Sequence, residues 1–449
     1  MKTKRRRLSV WQLLALSYLL GMILGSILLI LPFATKDGQE TTYINSLFTA
    51  ASAVSLTGLA PYDTATHWTL FGQLVILFLI QMSGLGFMTL VSAAFLIFKH
   101  TMSLGTRNVF MLDSGGNRSG IKILLLRILA GTAFCEAVGT LLLMIRFIPD
   151  FGAVKGIYFS VWHSVSAFCN AGFDVMGTSA NKFVSLTGYV NDPIVNLTIC
   201  ALILCGGLGF AVWSDIIDCK LNFRKYQLNT KVVLVVNAVL IVTGTALFIL
   251  FEWNNAQYAS FNFGEKLLAS IFNAITPRTA GFSTTDCASL SDSGFLLTTV
   301  LMFIGGGSGS TAGGMRVGTF AVIMTGMFTS FRGKRDINIG KRRIEHSLLS
   351  QSLAILAAML MVLIISVGAI CAIQPEQDIF KEVTFECVSA LSNTGLSMSF
   401  TPQLKTASSL IIIILMYAGR VGILTLALAL GQTKATAEIR RPVDSLLIG

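Results

Sequence analysis

Apolar residues in this chain come in long unbroken blocks, not in the alternating or one-faced patterns of a water-soluble protein. Blocks long enough to cross about 30 Å of hydrocarbon as a helix of about 20 residues lie at 10–31, 69–97, 121–148, 193–213, 231–251, 295–330, 350–373 and 408–430. They predict eight membrane-spanning helices. Between the two blocks of each successive pair sits a shorter, mixed stretch, near 45–55, 158–168, 265–275 and 380–390. At about eleven residues each is too short to span and suits a re-entrant helix.

The shorter stretches carry a repeat. "FTAASAVSLTGL" (48–59), "WHSVSAFCNAGF" (162–173), "IFNAITPRTAGF" (271–282) and "FECVSALSNTGL" (385–396) each place a bulky apolar residue (Phe48, Trp162, Ile271, Phe385) ten positions before a glycine. Three of the four have Ser-Ala at matching places, beginning at Ser52, Ser166 and Ser389. The glycines are Gly58, Gly172, Gly281 and Gly395, close to a quarter of the chain apart. One glycine between helices reads as a helix cap; four phased copies read as an internal repeat. The unit is span, short helix, glycine turn, span, and the boundaries fall at 1–98, 99–220, 221–332 and 333–449. Each unit crosses the bilayer twice, so successive units run parallel and close around an axis along the membrane normal. Inverted-repeat carriers need an odd number of spans per unit. The predicted fold is therefore an all-α membrane protein, four parallel helix–pore-loop–helix repeats around a central pseudo-fourfold pore.

Composition agrees. The chain is 53% hydrophobic and 12% charged, where a soluble protein carries about 25% charged residues. The opening stretch resembles a signal peptide, but its apolar run is too long and no small-residue cleavage site follows, so it reads as the first membrane helix. A net charge of +11 raises the possibility of nucleic acid, which the distribution of charge excludes. Of 33 Lys and Arg, 23 lie in 1–7, 99–127, 219–231, 332–343 and 433–449, one alternate set of loops. That is the positive-inside pattern of a multi-pass cell-membrane protein with both termini cytoplasmic. The eight cysteines (135, 169, 200, 205, 219, 287, 371 and 387) form no C-x-x-C pair and lie near no histidine cluster. They read as small buried apolar residues.

Irregular backbone at membrane depth is tolerated where it lines water or is buried in protein. A dehydrated cation needs oxygens in place of its water, and four loops of backbone carbonyls supply them in potassium channels. Glycine suits the position because it accepts positive φ and has no Cβ to obstruct the path. No Asp or Glu lies between two positions before each glycine and one after it. Selectivity then rests on carbonyls, which points to a weakly hydrated monovalent ion.

On these motifs the chain resembles the Trk/Ktr/HKT superfamily of potassium transporters, over essentially its full length, and most resembles the membrane subunit of bacterial Ktr systems (KtrB and KtrD type). The resemblance implies a selectivity filter of Leu56-Thr57-Gly58-Leu59, Asn170-Ala171-Gly172-Phe173, Thr279-Ala280-Gly281-Phe282 and Asn393-Thr394-Gly395-Leu396. Some plant relatives have serine at the first glycine and prefer sodium. Glycine at all four places implies potassium. The resemblance further implies a homodimer, a cytoplasmic nucleotide-binding regulatory ring subunit (KtrA or KtrC type), and possible sodium dependence. It implies no organic cofactor.

Two features lie beyond the turns. Residues 305–314, "GGGSGSTAGG", interrupt the sixth apolar block with a density of glycine that disfavours helix. The stretch lacks the Gly-Lys-Ser/Thr of a phosphate loop, and its loose Gly307-x-Gly309-x-x-Ala312 pattern follows no predicted strand. Close helix packing through small residues is the alternative. The preferred reading is a flexible gating loop of Gly305, Gly306, Gly307, Ser308, Gly309, Ser310, Thr311, Gly313 and Gly314, at the place where the resembled family has one. Arg420 lies mid-span, where an arginine is costly unless it meets water or a partner. The resemblance makes it a barrier under the filter and an anchor for the loop; an ion pair with Glu136 is the alternative. The matching spans "QMSGLGF" (81–87) and "LCGGLGF" (204–210) put Leu85 and Leu208 where Arg420 falls. Arg316 is placed to reach the interface, and Arg278 to brace the third turn by bonds to loop carbonyls.

A sodium-coupled symporter using the same loops as an alternating-access site is the rival reading. An enzyme is not expected, because His67, His100, His163 and His346 have no partner spacing.

Overall fold

The computed structural model of the chain describes residues 9–86, 121–220, 222–334, 336–375 and 379–430. The first group of helices is α1 (Val10–Leu29), α2 (Tyr43–Ser55) and α3 (Leu70–Gly84), and the second is α4 (Ile121–Phe151), α5 (Ala153–Phe168), α6 (Pro193–Leu208) and α7 (Phe210–Cys219). Next come α8 (Leu228–Glu252), α9 (Phe263–Ile275), α10 (Asp292–Phe303) and α11 (Val317–Phe331). A small antiparallel ribbon, β1 (Ile337–Ile339) and β2 (Arg342–Ile344), precedes α12 (His346–Ile373), α13 (Phe380–Ser392), α14 (Thr406–Val421) and α15 (Ile423–Leu430). The all-α expectation holds apart from this ribbon, which pairs Ile337 with Ile344.

Four helices are long and apolar enough to cross a membrane without a break: α1, α4, α8 and α12. Each begins a unit. Their outer faces are greasy, with Leu141, Ile145, Val242, Leu250, Ile364 and Ile365 exposed, as lipid requires. The short helices α2 and α13 are the inverse, with nearly every residue from Phe48 to Ser55 and from Phe385 to Ser392 buried. Their buried faces carry Ser46, Thr49, Ser52 and Ser55 in α2 and Ser389 and Ser392 in α13. Small residues of this kind allow close helix approach where lipid supplies no hydrophobic driving force. The short helices start where caps place them: Thr42 accepts from the Asn45 amide, and Asn262 with Glu265 forms a capping box.

The second helix of each unit departs from the straight spans that the apolar pattern predicts. α6 and α7 meet at 94°, and α14 and α15 at 90°. Gly209 (φ 98°) and Gly422 (φ 87°) sit at the two breaks, in a region that side-chain-bearing residues rarely enter. The predicted span 295–330 is two helices, α10 and α11, joined by irregular backbone. Of the predicted span 69–97, the described part is α3 and a turn at Gly86 (φ 83°). Counting each bent pair once gives up to six spans. The apolar pattern hides these breaks because glycine in an apolar run changes neither hydropathy nor length. The predicted re-entrant segments also start earlier than expected: α5 is 16 residues long, beginning at Ala153.

The helices close into a ring. α3 packs on α5, α6 on α9, α10 on α13, and α14 on α2. Each second helix thus rests on the short helix of the following unit, and the last returns to the first. Tyr417 donates to the Ala15 carbonyl at 2.9 Å, tying α14 to α1.

Close approach inside a unit is set by glycine. A Cβ on Gly206 would overlap the Phe168 carbonyl. Gly206→Val is therefore expected to cost about 3 kcal/mol through overpacking and to lower the melting temperature of the detergent-solubilised protein by several degrees. Gly368→Ala, where an added Cβ meets nothing within 4 Å, should leave melting unchanged or raise it slightly. Scanning fluorimetry checks both.

Candidate functional site

Three of the four turns share one local construction, and all four share the same positive-φ pair. After α2, the Leu56 amide donates to Ala53 (3.3 Å) and the Thr57 amide to Ser52 (2.9 Å). After α5, Asn170 donates to Ala167 (3.1 Å) and Ala171 to Ser166 (2.8 Å); after α13, Asn393 donates to Ala390 (3.2 Å) and Thr394 to Ser389 (2.9 Å). This paired closure is a Schellman motif, and it uses up the last helical carbonyls. Leu56, Asn170, Thr279 and Asn393 lie at φ 59°, 55°, 70° and 54°, and the glycines two positions on lie at 94°, 70°, 76° and 89°. Asparagine enters this region with little penalty, whereas Leu56 and Thr279 carry about 1–2 kcal/mol of strain each. The Ser52 and Ser389 hydroxyls each accept from the glycine amide of their own turn at 3.0 Å. In the second unit Ser166 instead donates to the Phe173 carbonyl (2.8 Å).

The third turn is built differently because Ile275 stands where the others have serine. Its closure shifts by one, with Ala280 donating to Thr276 at 3.0 Å, and the Thr276 hydroxyl bonds the Phe282 carbonyl. Pro277 and Arg278 fill the extra turn. Arg278 does not brace the turn through its Nε and Nη1, which are buried without hydrogen-bond partners.

All four turns meet at one place. A Cβ built on Gly58 would lie 2.6 Å from the Ala171 carbonyl oxygen, one on Gly172 2.9 Å from that of Ala280, and one on Gly281 2.7 Å from that of Thr394. A Cβ on Gly395 would overlap the carbonyl of Thr57. The sequence of contacts is cyclic, each glycine against the carbonyl preceding the next one. No side chain larger than hydrogen fits at any of the four positions. α2, α5, α9 and α13 all end here, bringing four C-terminal, partially negative helix ends to the ring.

A cavity of about 510 Å³ opens on one side, with the four glycines among its lining residues together with Asp63, Asp174, Lys182 and Asp286. Asp63 is spent on structure, accepting from the Thr66 and Phe183 amides, both at 2.8 Å. Asp174, in the loop after Gly172, accepts from the Met176 amide at 3.1 Å. Burial, and then the Asp63 carboxylate, push its carboxyl up to about 7.

A second cavity, about 270 Å³, is lined by α1, the glycine-rich loop and the break between α14 and α15, and includes Tyr18, Ser308, Gly309, Ser310, Arg316 and Arg420. The glycine-rich loop fills the space between the second and fourth units. Gly307 donates to the Gly207 carbonyl (2.9 Å), Phe210 donates to that of Gly309 (3.1 Å), and Ile304 forms a parallel bridge with Met315. A Cβ on Gly305 would overlap the Gly313 carbonyl, and one on Gly307 that of Leu208. The loop is thus packed against backbone, and its other members (Gly306, Thr311, Gly313, Gly314) lie beside Gly206, Gly207, Ser392 and Asn393. Arg316 does not run to the interface; its Nη1 donates to the Ala312 carbonyl at 2.6 Å and to that of Gly307 at 3.2 Å.

Arg420 reaches the loop directly. Its Nη1 donates to the Thr311 carbonyl (2.5 Å), its Nη2 to the Ser83 carbonyl (2.7 Å), and its guanidinium lies 5.6 Å from the Tyr18 ring centroid. Glu136 forms no ion pair with it and accepts from Gln81 at 3.2 Å, which excludes the alternative reading. The register of Arg420 also differs from that expected. Ser83, Gly206 and Gly419 each approach the carbonyl four residues before the turn glycine of their own unit, Val54, Phe168 and Leu391. Arg420 therefore matches Gly84 and Gly207, one position before Leu85 and Leu208.

A family model described as TrkH, cation transport protein, matches residues 22–435. The chain belongs to the TrkH cation transport family. Within the family it is 37% identical to the potassium/sodium uptake protein NtpJ of Enterococcus hirae, covering 100% of this chain and 99% of that one. It is also 37% identical to the Ktr system potassium uptake protein B of Bacillus subtilis, over 98% and 96% of the two chains. The crystal structure of the potassium transporter TrkH from Vibrio parahaemolyticus superposes with a TM-score of 0.71 at 17% identity, over 96% of this chain and 86% of that one. The chain is thus a membrane subunit of the Trk/Ktr superfamily, a transport family and not an enzyme family. All eight cysteines are free, and no cluster of metal-ligating side chains occurs among the described residues.

The turn residues and the loop were visible in the sequence through their spacing and glycine content. Ser83 and Tyr18 were not, since each belongs to the site only through contacts across units; Asp174 stands just past the second turn. Removing the Arg420 guanidinium breaks two bonds that hold backbone carbonyls. In Arg420→Leu, hydrogen–deuterium exchange across 305–316 is expected to accelerate at least about tenfold, as the loss of 1.5–3 kcal/mol from a charged hydrogen bond implies. Unchanged exchange would mean the loop is held by its backbone bonds alone.

Proposed function

We propose that the chain conducts potassium ions inward across the cell membrane through the ring of four glycine turns, as the translocating subunit of a Ktr-type system. The observation that carries this reading is the cyclic contact of Gly58, Gly172, Gly281 and Gly395 with the carbonyls of Ala171, Ala280, Thr394 and Thr57. A closed ring of backbone oxygens, free of carboxylates and backed by four negative helix ends, suits a weakly hydrated monovalent cation. The names of the uptake relatives support potassium, and NtpJ adds sodium. On this reading residues 56–59, 170–173, 279–282 and 393–396 form the filter, and the chain divides at 98, 220 and 332 into four parallel repeats around a pseudo-fourfold axis.

Loop 305–314 and Arg420 act as the gate. The loop lies beyond the ring from the 510 Å³ cavity and carries a cation against the path, so ions pass when loop and guanidinium move aside together. Positive loop charge puts both termini in the cytoplasm, with the larger cavity facing outward. A potential of 100 mV supplies about 2.3 kcal/mol per monovalent charge, which is roughly fiftyfold accumulation. The Ktr system names of the relatives support partnership with other Ktr components, and the proposal extends this to a homodimer served by a KtrA- or KtrC-type regulatory ring on the basic cytoplasmic loops.

The test is potassium uptake in a bacterium lacking its own potassium transporters, with a regulatory ring subunit co-expressed. The wild type should restore growth at low potassium. Gly281→Ser, which forces a Cβ against the Thr394 carbonyl, should abolish uptake or make it sodium-permissive. Equal rescue by both would make the glycines helix caps and end the pore reading. A fixed sodium-to-potassium ratio in flux measurements would favour the symporter instead.

A further inference from the structure

Carbonyls select an ion once it is at the ring, but they do not bring it there. The approach lies through the 510 Å³ cavity, whose floor is the glycine ring. Two positions beyond each glycine the four units place Ala60, Asp174, Ser283 and Ser397, all of which line this cavity. One of the four is therefore a carboxylate.

We propose that Asp174 is a cation-recruiting site at the outer mouth, which concentrates monovalent cations above the ring and empties when external acid protonates it. The inference rests on the conduction reading above. Three other charged groups face the cavity. Both oxygens of Asp63 are held by the Thr66 and Phe183 amides. Asp286, exposed and five positions beyond its glycine, gives one oxygen to the Ala288 amide at 3.0 Å. Cys287, also in the lining, is held neutral by burial, which pushes its thiol up to about 12. Asp174, half-buried and only two positions beyond its glycine, gives Oδ1 to the Met176 amide and lines the cavity beside the ring. Lys182, on the same loop and exposed, is the opposing charge; it repels cations from the mouth that Asp174 attracts them to.

The sign with pH follows from the half-buried position. A carboxyl raised to about 7 by burial and by Asp63 is ionised above that pH and neutral below it. Recruitment is thus present at alkaline external pH and fades as pH falls through about 7. An exposed carboxylate would show no such change above pH 5.

One unit charge a few ångströms from the path in water-like surroundings changes local cation concentration about threefold, and salt screens the effect. In potassium uptake at low ionic strength and pH 8, Asp174→Asn should raise the apparent KM about threefold with the maximal rate and the potassium-to-sodium preference unchanged. Its KM should no longer depend on external pH between 6 and 8, and choline chloride should abolish the difference from wild type. Asp174→Glu should keep the wild-type KM, and Lys182→Gln should lower it. The inference is overturned if Asp174→Asn keeps the wild-type KM and pH profile, or if it loses maximal rate at unchanged KM, as a purely structural carboxylate would. Failure of the wild type itself to transport potassium would overturn the conduction reading instead, so the two failures are distinct.

Discussion

Within the hydrocarbon layer every backbone amide and carbonyl must find a partner in protein or in water, and the arrangement of this molecule follows from how its four turns meet that demand. Helical carbonyls at the ends of α2, α5 and α13 are consumed by the turn amides in Schellman closures, and serine hydroxyls take the glycine amides in the first and fourth units. The rest of the chain supports this economy. Long greasy helices face lipid, short small-residue helices sit inside, and each second helix packs against the following unit so that no turn is left at an edge.

The same demand explains the far side of the ring. A loop as glycine-rich as 305–314 cannot pair with itself as a helix does, so it borrows partners: carbonyls and amides of the second unit, the carbonyl-seeking Arg316 within the loop, and Arg420 from the last helix. An arginine at membrane depth is expensive, and its cost is offset by its bonds to the carbonyls of Thr311 and Ser83.

How much of this was legible in the sequence depended on how local its cause was. The turns were legible because each is a local fragment: a glycine at fixed spacing, with a serine six positions before it in three of the four units. The four unbroken helices were legible from length and hydropathy. The bends at Gly209 and Gly422 were not, because a glycine inside an apolar block alters neither measure. Arg420 was identified as important, but its partners Thr311 and Ser83 lie in other units and no local pattern encodes them. Asp174 lies just past the turn pattern, two positions beyond its glycine, and Arg278 fails its expectation because carbonyl partners do not meet its Nε or Nη1. The expected ion pair of Arg420 with Glu136 failed for a simple reason: Gln81 occupies the glutamate and backbone occupies the arginine.

The closure of the ring has a consequence for how the protein is made. The Asn393 amide group donates to the Thr57 hydroxyl at 2.9 Å, and α14 packs on α2, so the first turn to be synthesised is completed by residues from the last unit. These two residues are 336 positions apart. At about 5–20 residues per second the first turn waits roughly 20 to 70 seconds in the membrane with its neighbour missing and its strained Leu56 unsupported. Assembly is therefore concluded at a single late moment, and a nascent chain halted anywhere before α14 has no closed ring, however well its earlier helices have inserted.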